Sequence, residues 1–331
     1  MIHFIRSGAS IAADHIDDLT RHFANLGIEY QVHDRRLDEG DTTPGHVYVS
    51  ANTEMIRNPE RVAHEIFRIQ LPHNLTGLKG IHFGQSDADF NLLSGPRIAR
   101  IQGIDLTDPK FEVAGYAKWD RIYQERNKVG KRRQELAVSM GLRTQLPWVI
   151  FYPTGPSKQV AGNQRRGEHI HKRVFDDLGP HEFIYCNHAR TKDYPECAAA
   201  VQRLLHLSEL HEGIHVLDGL LALPAITACD LFITDIASTV ITALSMNKPI
   251  AFIRTNVATS ATGVLTAQSA QDFQCSPALG QIPNLPSFID GWKPTPALQE
   301  LFAGCVAFDD DSNCRRIADR ILEKISAWKK G

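Results

Sequence analysis

The sequence predicts an α/β protein made of two doubly wound domains facing a cleft. Three observations carry this expectation. Short apolar runs of strand length alternate with amphipathic helical segments in both halves of the chain. A basic helical segment interrupts the alternation near the middle. The 331 residues suit two domains of about 150 residues each. Repeated strand–helix–strand units close into parallel sheets, because right-handed crossovers return each strand in the same direction.

In order, Ile2 to Ile5 reads as a strand, and Ala12 to Leu26 carries apolar residues at helical spacing. Tyr30 to His33 and Val47 to Val49 are short strands. Pro59 to Phe67 predicts a helix, with Pro in the first turn where its missing N–H costs nothing, and Arg68 to Leu71 returns as a strand. Phe90 to Leu93 is the next strand, followed by Ser94-Gly95-Pro96 and a short helix. Lys110 to Val113 then leads into Gly115-Tyr116-Ala117-Lys118-Trp119-Asp120. Lys128 to Gly141 is a basic helix suited to bridge two domains. The second half restarts with strands at Trp148 to Tyr152 and Glu182 to Cys186, a helix at Val201 to Leu207, a strand at His215 to Leu217 and a short helix at Leu220 to Ala225. Leu231 to Ile233 and Ile250 to Ile253 are strands separated by one helix, and Asn313 to Lys329 closes the chain as a helix. The expected division is residues 1–127, a linker helix at 128–145, and residues 146–331.

Charged residues at 22% and hydrophobic residues at 43% describe a globular chain, not a disordered or fibrous one. A formal net charge of -2 provides no field to recruit nucleic acid or an anionic membrane. The basic runs Lys128 to Arg133, Arg165-Arg166 and Lys329-Lys330 read as solvated faces. The six cysteines form no C-x-x-C pair, which suits a reducing cytoplasm. Met1 to Arg6 starts a strand and lacks a signal-peptide apolar core. No apolar run approaches the roughly 20 residues of a membrane span. A cytoplasmic protein, at most peripheral on the inner face of the membrane, is expected.

The most informative stretch is Ala228 to Ile253. It reads as strand, polar turn, helix and strand, and the turn holds Asp235, Ser238 and Thr239. A helix start offers unpaired N–H groups and a partial positive charge, so this turn is a candidate phosphate site; Ser or Thr is also an ordinary cap there. His211-Glu212-Gly213-Ile214-His215 matches a zinc-protease pattern. That chemistry needs a continuous helix, whereas Gly213 and the following Ile214 to Leu217 read as turn and strand. His169, His171 and His206 read as surface histidines. His73 follows a strand and precedes Gly77, where a histidine can take a proton from an attacking hydroxyl. His188 follows another strand, with Arg190 and Lys192 close by, a combination suited to anions.

Together these elements resemble the CDP-glycerol glycerophosphotransferase family, the teichoic-acid-type polymerases and primases, from about Leu71 to Ile253. The family's His-Gly loop with a following Lys is similar to His73 to Lys79, with Asn74 in place of glycine. Its Gly-Tyr-Pro…Asp element resembles Gly115 to Asp120, with Ala117 in place of proline. Its strand ending in Pro-Thr resembles Phe151 to Thr154. Its Lys-Pro-His-Pro strand end is similar to Cys186-Asn187-His188-Ala189, which keeps the histidine alone. Its Ile-Thr-Asp-Tyr-Ser-Ser…Lys-Pro signature resembles Ile233 to Ser238 and Lys248-Pro249. The shared order of five elements is more specific than any one of them.

The resemblance implies a glycosyltransferase-B-like architecture of two Rossmann-like domains, residues 1–127 for the acceptor and 146–331 for the nucleotide donor. It implies an enzyme that moves glycerol phosphate, or a related polyol phosphate, from a CDP-linked donor to an acceptor hydroxyl in cell-envelope or capsular polymer synthesis. His73 and His188 would be catalytic. Thr154, Arg190, Asp235, Ser238 and Thr239 would hold the donor phosphates, and Asn74 and Lys79 would face the acceptor. The partners implied are a CDP- or CMP-linked donor and a glycan or lipid-linked acceptor, with no nucleic acid, no cofactor and no metal. The same scaffold serves sugar transferases using CMP-Kdo or UDP-sugars, sugar-nucleotide epimerases, and non-enzymatic nucleotide-binding modules.

Overall fold

The computed structural model describes residues 1–6, 10–35, 37–51, 56–57, 65–72, 75, 86, 88–153, 179–188, 195–235, 238–253, 282 and 284–330. The chain first runs through β1 (Ile2–Ile5), α1 (Ser10–Asn25), β2 (Tyr30–His33), β3 (Leu37–Asp38), β4 (Val47–Ser50), β5 (Ile56–Arg57), β6 (Phe67–Gln70) and β7 (Phe90–Leu93). Next come α2 (Pro96–Gln102), β8 (Phe111–Val113), α3 (Trp119–Glu125), α4 (Val129–Met140), β9 (Trp148–Tyr152), β10 (Glu182–Asn187), α5 (Pro195–Leu210) and β11 (Ile214–Asp218). The last elements are α6 (Ala222–Ala228), β12 (Leu231–Thr234), α7 (Thr239–Ser245), β13 (Ile250–Phe252), α8 (Leu285–Gly291), α9 (Pro296–Cys305) and α10 (Asn313–Trp328).

These elements form two compact units, one of Met1–Tyr123 with Ala303–Gly331 and one of Gln124–Phe302. This departs from the linear division at both expected boundaries. Helix α10 joins the first unit because its apolar stripe, Cys314, Ile317, Ala318, Ile321 and Ile325, completes that unit's core. The expected linker helix, α4, belongs to the second unit. Its Arg133 donates to the Ala228 carbonyl and to Asp230 Oδ2 at 2.7 Å, and stacks 4.3 Å over the Trp148 ring. Lys128, just before α4, and Arg132 within it grip the buried Glu125 carboxylate, and the hydrogen bonds from Arg132 hold its pKa down at about 2.

The first unit's sheet is wholly parallel, in the order β2-β1-β4-β6-β7-β8, with β3 and β5 pairing separately. Side chains alternate across a strand. Ile2, Phe4, Val47, Val49, Phe67, Ile69, Phe90 and Leu92 face one way, into the core built with α1 and α10. The opposite face is polar for a buried parallel sheet, whose strands are usually apolar throughout. His3 is 5% exposed there. Its Nδ1 pairs with His33 Nε2 at 2.9 Å, its Nε2 pairs with His46 Nδ1 at 2.8 Å, and its ring stacks 4.7 Å from Tyr48. A neutral His3 fits this chain by donating through one nitrogen and accepting through the other.

Burial, reinforced by His33 and His46, lowers the His3 pKa from 6.5 to about 4. A histidine whose folded pKa is depressed binds fewer protons folded than unfolded. Its contribution is therefore present above pH 6.5 and is lost as pH falls toward 4. With about 1.4 kcal/mol per shifted unit as a ceiling, wild type should lose on the order of 2 kcal/mol more than His3→Phe between those pH values in urea titrations. Equal losses in both proteins would remove His3 as the source.

The segment joining β8 to α3 anchors α10. Asp120 accepts from the backbone N–H of Asn313 at 2.7 Å and of Cys314 at 2.9 Å, so it caps that helix from 193 residues away. Asn313 Oδ1 accepts from Tyr116 N, Cys314 Sγ donates to the Ala117 carbonyl, and Trp119 Nε1 donates to Asp309 Oδ1 at 3.1 Å. Gly115, at φ 99°, lies directly under Asn313 Oδ1.

The second unit's sheet is also wholly parallel, ordered β11-β10-β9-β12-β13. From β9 the chain winds through β10 to β11 on one side, then crosses to β12 and β13 on the other. The winding therefore reverses between β9 and β12. Val149, Phe151, Phe183, Tyr185, Leu231 and Ile233 form the core with Val201 and Leu204 of α5 and Leu285 of α8. The α5 helix runs longer than the predicted 201–207, with Pro195 as its first residue.

Candidate functional site

In open parallel sheets, ligands bind outside the carboxyl ends of the strands where the winding reverses. In the second unit that place lies past β9 and β12. Thr234 Oγ1, at the end of β12, donates 2.8 Å to the Tyr152 carbonyl at the end of β9 and ties the two ends together. Asp235 follows at 2% exposure, and Ser238 and Thr239 open α7. Ser238 stands at the N-cap position with a helical backbone (φ -62°, ψ -17°) and makes no side-chain capping bond. The expected cap is thus absent: Ser238 already has helical φ and ψ, unlike the extended backbone from which a capping hydroxyl usually accepts the first-turn N–H groups. Thr239 Oγ1 is buried with no hydrogen-bond partner among the described residues. The apolar face of α7, Val240, Ile241 and Ala243, is fully buried, which fixes the helix start against the sheet.

On the other side of β9, β10 ends in Asn187, and His188 follows it. The His188 ring is half-buried and lies 6.0 Å from the Tyr152 ring at 52°. Strands lie about 4.8 Å apart, so the ends of β10 and β12 flank that of β9 at about 10 Å from one another. His188, Asp235, Ser238 and Thr239 therefore share one edge. Burial drives the Tyr152 phenol far above its usual range, so it stays neutral. Such an edge, with a helix start, a histidine and hydroxyls, can neutralise and orient a phosphate. His73, Asn74, Lys79, Thr154 and Arg190 lie outside the described residues.

Asn187, in the sequence only a departure from the family's strand end, has its Oδ1 buried without a partner among the described residues; Tyr152 carries no sequence signal beyond ending an apolar run. Other motif residues have structural partners. Lys248 is buried and donates from Nζ to the Cys229 carbonyl at 2.9 Å. Gly115 and Asp120 anchor α10. His215 lies on a strand, not a helix, and its Nε2 pairs with Glu182 Oε2 at 2.7 Å, while Arg143 holds the other carboxylate oxygen. His206 lies exposed on α5. Among the described residues no three His, Cys, Asp or Glu side chains gather as metal ligands do, and no helix is long and apolar enough to cross a membrane.

No protein-family model and no curated protein matches the sequence. Solved structures do. A variant of the wall teichoic acid polymerase TagF superposes with a TM-score of 0.63 at 12% identity, covering 100% of this chain and 90% of that one. The UDP-GlcNAc 2-epimerase from Neisseria meningitidis, bound to UDP-GlcNAc, gives 0.56 at 12% identity, covering 97% and 99%. That from Methanocaldococcus jannaschii gives 0.55 at 14% identity, covering 98% and 100%. With its two parallel-sheet units, the chain has the glycosyltransferase-B-like fold that these proteins share.

Proposed function

We propose that this chain is an enzyme acting on a nucleotide-linked donor, and specifically a transferase that moves glycerol phosphate, or a related polyol phosphate, from a CDP-linked donor to an acceptor hydroxyl. The observation that carries the reading is the shared strand edge of His188, Asp235, Ser238 and Thr239 where the second sheet's winding reverses. The ordered motifs from His73 to Lys248-Pro249 add to it, as does the likeness to TagF over 100% of this chain and 90% of that one; TagF has also been solved after a soak with CDPG.

In this reading the α7 start and His188 hold the diphosphate. His73 takes the proton of the acceptor hydroxyl as its oxygen attacks the β-phosphorus in line. The bond from that phosphorus to the bridging oxygen breaks, and CMP leaves with the electron pair. Positioning and charge neutralisation supply the acceleration, and the helix start and His188, with Arg190, do the neutralising. The enzyme would work at the inner face of the cell membrane on a glycan or lipid-linked acceptor.

Incubation with CDP-glycerol, CMP-Kdo and UDP-sugars tests the assignment. CMP release that requires both CDP-glycerol and an acceptor is expected. Release from CMP-Kdo or a UDP-sugar in its place makes the protein a sugar transferase. UDP-sugar interconversion without acceptor makes it an epimerase, the activity named for two of the similar structures. Binding without turnover leaves a nucleotide-binding module.

A further inference from the structure

We propose that Gln70, Asn91 and Ser94 form the hydrogen-bonding floor of a site on the first unit that receives a polyol acceptor. The proposal rests on the transferase reading above and gives its acceptor a place and a chemistry. On the face of the first sheet turned away from α1 and α10, Ser50, Gln70 and Asn91 lie side by side in register across β4, β6 and β7. All three are 0% exposed, and Ser94, just past β7, is 1% exposed. Gln70 Nε2 donates to the Ser50 carbonyl at 2.8 Å and to the Leu71 carbonyl at 2.9 Å, which fixes the side chain. Its Oε1 has no partner among the described residues, and neither do Asn91 Oδ1, Asn91 Nδ2 or Ser94 Oγ.

Three polar atoms of the Gln70–Asn91 row, and a fourth on Ser94 just past β7, lack partners among the described residues and need an explanation, because each costs folding free energy that an apolar side chain would spare. Rules of local consistency fail most often at functional sites. Ser50 and Gln70 are the last residues of β4 and β6, so this part of the row reaches the carboxyl edge of the sheet, where open parallel sheets bind ligands. Gln70 closes the strand that leads through Leu71 and Pro72 to His73. The unmet atoms include acceptors (Gln70 Oε1, Asn91 Oδ1), a donor (Asn91 Nδ2) and a hydroxyl that does both (Ser94 Oγ). A phosphate only accepts and an ammonium only donates. A carbon chain with neighbouring hydroxyls does both, and it matches this mixture.

The experiment compares wild type with Asn91→Leu and Ser94→Ala. It measures KM for the acceptor in transfer, CDP affinity, thermal stability without ligand, and NMR-detected binding of glycerol 3-phosphate. For Asn91→Leu, acceptor KM should rise at least about tenfold and glycerol 3-phosphate binding should vanish. CDP affinity should stay within about twofold of wild type, and the melting temperature should be no lower, because an unmet amide is gone. Ser94→Ala should raise acceptor KM by about threefold; it decides the matter should Asn91→Leu fail to fold. Unchanged acceptor KM and polyol binding in the variants would overturn the floor and make the row a seat for buried water. Wild type that binds no polyol would overturn it as well. Wild type that binds neither CDP nor any other nucleotide would sink the transferase reading instead, and the glycerol 3-phosphate titration alone would then judge the floor.

Discussion

Gly115→Ala should destabilise the protein by about 3 kcal/mol, measured by urea unfolding. At φ 99° any side chain strains the backbone, a cost of roughly 1–2 kcal/mol. The added Cβ would also overlap Asn313 Oδ1, the atom that accepts from Tyr116 N and orients the first residue of α10. Shifting Asn313 pulls its N–H away from Asp120, so the cap weakens by a further ~1 kcal/mol or more. Asp120→Ala should reproduce the second part alone, at about 1–2 kcal/mol. Proteolysis should then begin at the C-terminus, since α10 contributes a face of the first unit's core and closes over Trp328 stacked on Phe67. If Gly115→Ala unfolds like wild type, α10 is not held by this segment.

His188→Ala should lower turnover by at least about 100-fold while leaving circular dichroism and the unfolding midpoint unchanged. The residue follows β10, half-buried, so its truncation empties no core cavity. Its expected task is to meet the charge that builds on the diphosphate as CMP departs. The loss should therefore fall mainly on kcat, with CDP affinity changed much less. Full activity in His188→Ala would show that the phosphate edge is wrongly composed. His73→Ala, on the acceptor side, should produce a loss of similar size by removing the base.

Most strands were legible in the sequence for one physical reason. Strands buried on both faces, such as Trp148–Tyr152 and Leu231–Thr234, read as unbroken apolar runs bounded by polar turns. The destination of α10 was not legible. Its apolar stripe is obvious, but a stripe does not name its partner, and Asp120 caps it from 193 residues away. The sequence sets Gly115 to Asp120 among motifs of function, whereas in the structure this segment clamps α10. The polar face carrying His3, Gln70 and Asn91 was hidden too, because period-two polarity in a buried strand resembles an exposed edge until the covering elements are known. At the site, the strand-end positions of His188, Asp235 and Ser238 followed from the strand boundaries. The failure of Ser238 to cap α7 did not, since it depends on a backbone turn that propensity does not specify. The zinc-like histidines are separated by Gly213 and the strand that follows it, while Glu182, the partner of His215, lies on another strand and is not legible as such.

In the proposed function the carboxyl edge of the second sheet holds the donor diphosphate. A crystal structure with CDP tests it most directly. The diphosphate should lie over the start of α7, with oxygens about 3 Å from the Thr239 amide or hydroxyl and from the His188 ring. CDP seated away from β9, β10 and β12, with His188 and Thr239 untouched, would contradict it.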